Sequence, residues 1–297
     1  MERDKTAVKG ALFTLFGGTL WGFSGTCGQF LLQTKGLTSN WLIPYRLLIA
    51  GVLLLLICYL KDGKKIFQIW QQDAAGILIF GVFGMSMCQY TFFTAIGESN
   101  AGTATVLQYI GPVLILIYMS LRNRQLPKWN EVLAICLAVL GTFLLATHGN
   151  PGTMVLSEKA LFWGLLSAVA LVIYTVQPGA LLVKYGSALV TGWGMLLGGA
   201  LLCGIFRPWS IPVVVDDEVV IGMAAVILLG TVVAFVCYLE GVRLIGPKKG
   251  SLYASVEPVS ATVFSVIWMH VSFGVMDFLG FFCILSTIFI LAMSRKR

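Results

Sequence analysis

Charged side chains are scarce in this sequence. Of its 297 residues only 11% are charged, whereas 58% are hydrophobic, and the mean hydropathy is +0.90. A water-soluble domain has about 25% charged residues, because its surface must be covered by groups that water solvates. This excess of apolar side chains is more than a soluble core can bury, but a lipid bilayer accommodates it. The composition therefore excludes an ordinary soluble domain and predicts an integral membrane protein.

Motifs for catalysis and metal binding are also missing. The sequence has no Walker-type phosphate loop, no His-Glu-x-x-His and no Gly-x-Ser-x-Gly, so it does not indicate ATP hydrolysis, zinc peptidase or serine hydrolase chemistry. Its two histidines, His148 and His270, lack the spacing of a metal pair. All seven cysteines lie in apolar stretches, which is typical of small packing residues. We predict no enzyme activity, no cofactor and no metal site.

Ten apolar segments follow one another along the chain, separated by short connections. Each is near the length of about 20 residues that a helix needs to cross a bilayer. They cover residues 10–32, 39–60, 74–96, 102–121, 130–147, 160–182, 188–206, 219–242, 249–269 and 274–293. The pattern predicts an all-α polytopic membrane protein with ten transmembrane helices, five in residues 1–148 and five in residues 149–297.

The basic residues lie mainly on alternate connections. If the N-terminus is cytoplasmic, 16 of the 20 Lys and Arg residues fall on the cytoplasmic side, three fall on the other side, and Arg46 lies within a segment. Positive charge marks the cytoplasmic side of membrane proteins. This distribution predicts a multi-pass protein of the cytoplasmic (inner) cell membrane with both termini in the cytoplasm. It also explains the net charge of +7 without a nucleic-acid partner.

The second half of the chain repeats the first at an offset of 146 residues. Pro112 matches Pro258, Glu131 matches Asp277, and Gly84 matches Gly230. Because each half has an odd number of predicted spans, the second half enters the membrane from the opposite side. Inverted repeats of this kind are a recurring plan of secondary transporters, which bind their substrate near the midplane between the repeats.

The sequence resembles the drug/metabolite transporter superfamily, EamA-type, over nearly its whole length. The resemblance is carried by the order and duplication of short motifs: Leu20-Trp21-Gly22, Tyr45-Arg46-Leu47-Leu48-Ile49-Ala50, Tyr109-Ile110-Gly111-Pro112-Val113 and Ser255-Val256-Glu257-Pro258-Val259. It implies a basket of the first, third, fourth, sixth, eighth and ninth helices around a central cavity. It also implies movement of small organic solutes, often export of amino acids or related metabolites.

Aromatic, amide and acidic side chains inside these basket helices are the candidate substrate-binding residues. They are Trp21, Gln89, Tyr90, Phe93, Gln108, Tyr109, Tyr174, Gln177, Tyr238, Tyr253 and Glu257. An amide in hydrocarbon needs a hydrogen-bond partner, and aromatic walls suit an amphipathic solute or a cation. Each of these side chains also suits helix packing alone.

Two prolines, Pro112 and Pro258, are predicted to interrupt helices, because proline lacks a backbone donor. Glu257 beside the second break suits a coupling proton or a cationic group. Arg46 is the only basic residue well inside a span. Two interpretations stand: it binds a substrate carboxylate, or it is structural, pairing with backbone carbonyls or snorkelling to the outer face. The sequence favours the structural one.

We therefore predict a secondary transporter that moves small organic solutes by alternating access, with export of amino acids or related metabolites as the first hypothesis. The expected partners are the solute, membrane lipid and a coupling proton. One alternative is uptake or exchange of a cationic amine such as a quaternary ammonium compound. An alternative of another class is a membrane sensor or partner protein that transports nothing.

Overall fold

The computed structural model describes residues 2–124, 126–150, 152, 154–245, 250 and 253–294, and the regular elements of these residues are helices. The basic residues Lys248, Lys249 and 295–297 lie outside the described residues. In the first half the helices are α1 (Glu2–Gln29), α2 (Ser39–Asp62), α3 (Gln68–Gln72), α4 (Ala74–Ile79), α5 (Met87–Glu98), α6 (Ala101–Gln108), α7 (Gly111–Asn123) and α8 (Trp129–Thr147). Short π-helical segments extend α1 over Phe30–Thr34 and join α4 to α5 over Phe80–Ser86.

The second half continues with helices of similar length. They are α9 (Glu158–Val176), α10 (Gly179–Tyr185), α11 (Ser187–Phe206), α12 (Asp217–Ala224), α13 (Ala234–Ile245), α14 (Val256–Ile267) and α15 (Val275–Ser294). A π-helical segment, Ala225–Val233, joins α12 to α13. Two 3-10 turns, Gly63–Phe67 and Pro208–Ser210, follow α2 and α11.

Helical stretches of this chain are long and apolar enough to cross a membrane. Among the described residues seven meet this description: Ser39–Gln72, Ala74–Glu98, Ala101–Arg122, Trp129–Thr147, Glu158–Val176, Ser187–Phe206 and Asp217–Ile245. Two shorter apolar helices cover Val256–Ile267 and Val275–Leu291. The predicted all-α polytopic class is confirmed, while the number of ten spans and their division into two halves stay predictions.

Helix α1 packs closely against several partners because glycines remove side chains from its surface. A Cβ atom on Gly22 would lie 2.8 Å from the carbonyl oxygen of Glu257 in the first turn of α14. A Cβ atom on Gly28 would lie 2.4 Å from the Phe93 ring of α5. Both distances are shorter than real Cβ contacts, so α1 approaches α14 and α5 only through these glycines.

The helix that contains Pro112 is interrupted, as the proline suggests, but one turn earlier than the proline itself. Helix α6 ends at Gln108, a turn covers Tyr109 and Ile110, and Pro112 is the second residue of α7. The proline ring would clash with the carbonyl group four residues earlier, which belongs to Gln108. Pro258 likewise lies in the first turn of α14. Each proline therefore lies in the first turn of a helix, just after a break, rather than within a continuous helix.

Candidate functional site

Arg46 extends from α2 into the interior of the helix bundle. It is only 5% exposed. Its Nη1 atom donates a hydrogen bond of 2.6 Å to Oε1 of Gln89, and its Nε atom lies 3.4 Å from Oγ1 of Thr231. The guanidinium also lies over the Phe93 ring. Among the described residues its bonds thus go to side chains, and neither the snorkelling nor the pairing with backbone carbonyls that the structural interpretation named is seen. The choice between a structural and a substrate-binding role stays a prediction.

The partners of Arg46 are neutral. Among the described residues no carboxylate forms an ion pair with it, although its charge and that of Glu257 are close enough to interact. A buried cation is costly to hold unless hydrogen bonds and an opposite charge compensate for its lost hydration. Arg46 gains hydrogen bonds from its contacts with Gln89 and Thr231, and the Phe93 ring adds a further favourable contact. The other kind of compensation, a bonded opposite charge, is not seen in the part of the chain that the structure describes.

Glu257 lies opposite, in the first turn of α14, and is held by a tyrosine. The Tyr109 hydroxyl is 3.1 Å from Oε2 of Glu257 and 3.3 Å from the carbonyl oxygen of Ala254. The turn at Tyr109 and Ile110 places this hydroxyl between the α6–α7 break and α14. The start of a helix favours a negative charge, because its first N–H groups point outward. The position therefore suits a carboxylate that binds a proton or a cation.

Aromatic side chains surround this carboxylate. The Trp21 ring is centred 5.0 Å from that of Tyr238 and 5.1 Å from that of Phe235. Tyr174 interacts electrostatically with both Tyr238 and Glu257. Trp21, Tyr174 and Tyr238 are half-buried, as Glu257 is. Cys88 is buried and close enough to Arg46 to interact with it electrostatically. We use the name central site for the side chains that these contacts bring together: Trp21, Arg46, Cys88, Gln89, Phe93, Tyr109, Tyr174, Thr231, Tyr238 and Glu257.

Other predicted residues lie elsewhere or at the margin. Tyr90 faces away from the central site, since its hydroxyl donates to Oδ1 of Asn40 at 2.7 Å and its ring stacks on Phe206. Gln177 donates to the carbonyl oxygen of Gly76 at 3.0 Å.

The remaining two predicted residues differ in burial. Gln108 is buried and lies 3.8 Å from the Cys88 sulfur at the edge of the site. Tyr253 is 38% exposed, and no contact with the central site is seen for it.

A cavity of about 470 Å³ lies apart from this chemistry, between α7, α8 and α9. Its lining is apolar apart from two threonines, and includes Val113, Ala138 and Leu165. None of the central-site residues lines it. We therefore place the candidate solute site at Arg46 and Glu257 rather than here.

Two ion pairs connect distant parts of the chain at the ends of the helices. Lys35 binds Asp216 at 2.7 Å and also contacts Glu218. Lys184 binds Asp73 at 2.6 Å, and the Tyr185 hydroxyl donates to the same carboxylate oxygen. Each lysine holds the pKa of its aspartate below the usual value, and each aspartate raises the pKa of its lysine.

Comparison with known proteins assigns the family. The sequence pattern of the EamA-like transporter family matches residues 8–147 and again residues 158–293. The chain belongs to the EamA-like transporter family. The EamA-type resemblance seen in the sequence motifs is thereby confirmed, and so is a multi-pass protein of the inner membrane.

Several relatives of this EamA-like chain are named as transporters. It is 37% identical over 291 residues to "Uncharacterized inner membrane transporter YicL" of Salmonella typhimurium, covering 97% of both chains. It is 29% identical over 269 residues to "Uncharacterized transporter YetK" of Bacillus subtilis, covering 85% of this chain and 78% of the relative. A crystal structure with 15% sequence identity matches with a TM-score of 0.63 over 99% of both chains, which shows a shared fold. The family and these relatives point to a transporter rather than an enzyme.

Three residues of the central site are not among the substrate-binding residues predicted from the sequence. Arg46 was weighed for that role but favoured as structural, Cys88 was predicted to pack, and Thr231 was not singled out. The signal for Arg46 was its position as the only basic residue well inside a span. No signal identified Thr231, because its role depends on the contact between α2 and the segment Ala225–Val233.

Proposed function

We propose that this protein is a secondary transporter that exports amino acids or related zwitterionic metabolites. The observation that carries this proposal is a buried cation, Arg46, that forms no ion pair with any described carboxylate, close enough to a second charge, Glu257, to interact with it. Their charges match the two charges of an α-amino acid. A substrate carboxylate would bind the guanidinium, which offers paired donors, and the ammonium would bind Glu257.

The aromatic side chains of the central site would contact the rest of the solute. Trp21 and Tyr238 form a half-buried pair of rings, and Tyr238 interacts with Tyr109, which holds Glu257. Such rings bind apolar side chains and also attract cations through their faces. Solutes with an apolar side chain are therefore the expected substrates.

The proposed architecture has ten transmembrane helices in two inverted halves, residues 1–148 and 149–297, with both termini in the cytoplasm. The two successive family matches, 8–147 and 158–293, support a duplication. The π-helical segments Phe80–Ser86 and Ala225–Val233 support it independently, because the first overlaps the second when shifted by 146 residues. π-Helical turns occur often at functional sites. Here one contains Thr231, and the other leads directly to Cys88 and Gln89.

Transport would proceed by alternating exposure of the central site to the two sides of the membrane, as the two halves move against each other. A proton on Glu257 would couple export to the proton gradient. One elementary charge that crosses 100 mV releases about 2.3 kcal/mol, which is enough to drive concentration of a solute.

The rival proposal is uptake or exchange of a cationic amine, which Glu257 and the aromatic rings would favour. Arg46 argues against it, because a cation without a carboxylate would be repelled by the unpaired guanidinium. A protein that transports nothing remains the proposal from another class.

Competition in proteoliposomes separates these proposals. The purified protein is reconstituted, and uptake of a labelled neutral amino acid is measured against an excess of unlabelled amino acid, its decarboxylated amine or a quaternary ammonium compound. Competition by the amino acid alone supports the zwitterion site. Competition by the two amines alone overturns the zwitterion site in favour of the rival. If no solute shows any flux, the proposal that this protein is a transporter is overturned.

A further inference from the structure

The two ion pairs at the helix ends join corresponding points of the chain. Lys35 follows the end of α1, and Asp216 immediately precedes α12. Lys184 lies at the end of α10, and Asp73 immediately precedes α4. A shift of Lys35 by 146 residues gives position 181, three before Lys184, and a shift of Asp73 gives position 219, three after Asp216. Each pair therefore joins one half to the other at equivalent places.

The pairs lie at opposite ends of the helix bundle. Helix α2 begins at Ser39, close to Lys35, and ends at Asp62, not far before Asp73. Its 24 residues span about 36 Å at a rise of about 1.5 Å per residue. In the proposed orientation Lys35–Asp216 faces the outer side and Lys184–Asp73 faces the cytoplasm.

We propose that these ion pairs are two matched gates of the transporter, one on each face, and that transport requires each pair to break in turn. Both pairs are formed in this structure. The inference rests on the proposed alternating access and names the contacts that would control it. The lysines and carboxylates of both pairs lie outside the central site.

The strength of such pairs suits repeated opening. The Lys184 and Asp73 side chains are 49% and 33% exposed, and exposed ion pairs contribute little stability because water and salt screen them. A contact of this strength biases a conformational equilibrium without trapping the protein in one state.

The two ends differ in their additional contacts. On the outer side Oε1 of Gln29 accepts hydrogen bonds from the Ala101 amide at 2.9 Å and the Ser265 hydroxyl at 3.2 Å. These bonds tie α1 to the start of α6 and to α14. On the cytoplasmic side Gln177 donates to the carbonyl oxygen of Gly76, and the Tyr185 hydroxyl contacts both Gln72 and Asp73. Additional side-chain hydrogen bonds therefore accompany the ion pair at each end.

The gates are tested by asking from which side the central site is reached. A variant that retains Cys88 as its only cysteine is reconstituted, and the rate of labelling by a membrane-impermeant maleimide is measured from each side. Lys35→Gln should raise labelling from the outer side alone, and Lys184→Gln should raise labelling from the cytoplasmic side alone. Each increase should be about fivefold, which corresponds to about 1 kcal/mol of lost ion-pair stabilisation.

Matched controls use lysines at the same ends. Lys159 and Lys64 are exposed and form no ion pair within the described residues, so Lys159→Gln and Lys64→Gln should leave labelling unchanged. The exchanged pair Lys184→Asp with Asp73→Lys should restore the parent rate. A check by thermal unfolding confirms that each variant is folded.

The results separate this inference from the proposed function. The gate inference is overturned if both gate variants are labelled at the parent's rate, or if one variant is labelled faster from both sides. Amino acid flux in the parent would then still support the transporter proposal. If the parent neither transports an amino acid nor changes its labelling when one is added, the proposed function fails instead.

Discussion

The guanidinium carbon of Arg46 lies 4.3 Å from the centre of the Phe93 ring. The ring is itself fixed from behind, because Phe93 is 1% exposed and packs against Gly28 of α1. Three helices, α1, α5 and α2, thus position one charge. The contact is of the cation–π type, in which the ring face attracts the cation. It holds the guanidinium in place while leaving its charge available to an anion.

Replacement of Arg46 by Gln should weaken binding of an amino acid by about 10- to 100-fold, since a hydrogen bond to a charged group contributes about 1.5–3 kcal/mol. Binding of the decarboxylated amine should not weaken, because it never used the guanidinium. Isothermal titration of both ligands against the purified variant checks this. Arg46→Lys keeps the charge but not the paired donors and should lose less. An equal loss of affinity for the amino acid and for its decarboxylated amine would contradict the assignment of Arg46 to the substrate carboxylate.

Replacement of Glu257 by Gln should remove the dependence of transport on a proton gradient while the protein remains folded, because the amide has the same shape but cannot exchange a proton. Counterflow between equal solute pools should continue but need a higher solute concentration, because the amide offers the substrate ammonium an uncharged contact. The measurement is uptake with and without an imposed pH difference. Tyr109→Phe is the control, since it removes the hydrogen bond at 3.1 Å and keeps the carboxyl group. Proton-driven uptake by the Gln variant at the parent's rate would exclude Glu257 from coupling.

Substitution of Gly28 by Ala should lower stability by about 1–3 kcal/mol, because an added methyl group overfills a packed interface. The displaced Phe93 ring should also weaken amino acid binding through Arg46. The control is Gly204→Ala, also in a helix, where an added Cβ meets nothing within 4 Å. Thermal unfolding in detergent compares the two. A stable Gly28→Ala variant with normal binding would show that the contact between α1 and Phe93 is not required.

The two ion pairs should make no contribution to pH dependence near neutrality. The pKa values of Asp73 and Asp216 are below the ordinary 3.8, and those of Lys35 and Lys184 are above 10.5. The stabilisation that comes from the lowered pKa values of the two aspartates is fully present above pH 3.8. It is lost as the pH falls through their pKa values in the folded protein. Stabilisation from the raised lysines is lost only as the pH rises through theirs. In the background that retains only Cys88, the ratio of labelling in Lys35→Gln or Lys184→Gln to labelling with both lysines intact should therefore be constant between pH 5 and pH 8. A change in this ratio would mean that another titrating group contributes to the gates.

Much of the architecture was predictable from hydropathy and charge. Apolar stretches of sufficient length define helices because unpaired backbone groups are not tolerated in lipid, and this reasoning placed α8 and α11 closely, while α9 ends six residues before the predicted span does. The break before Pro112 was predictable in kind, while its position at Tyr109 and Ile110 depended on a clash with Gln108. Contacts between distant segments were not predictable. Arg46 meets Thr231 across 185 positions, and only the folded helices show that both face the same interior.

The distance in sequence between Arg46 and its partners has a consequence for biogenesis. Synthesis proceeds from the N-terminus, so α2 enters the bilayer before either Gln89 or Thr231 exists. Thr231 follows Arg46 by 185 positions, which at about 5–20 residues per second is a delay of roughly 10–40 s. During that time the membrane must hold an arginine that costs about 2.5–3.5 kcal/mol at the centre of a span. The run of leucines from Leu53 to Leu56 that follows in α2 offsets this cost, so the helix stays inserted until its partners arrive.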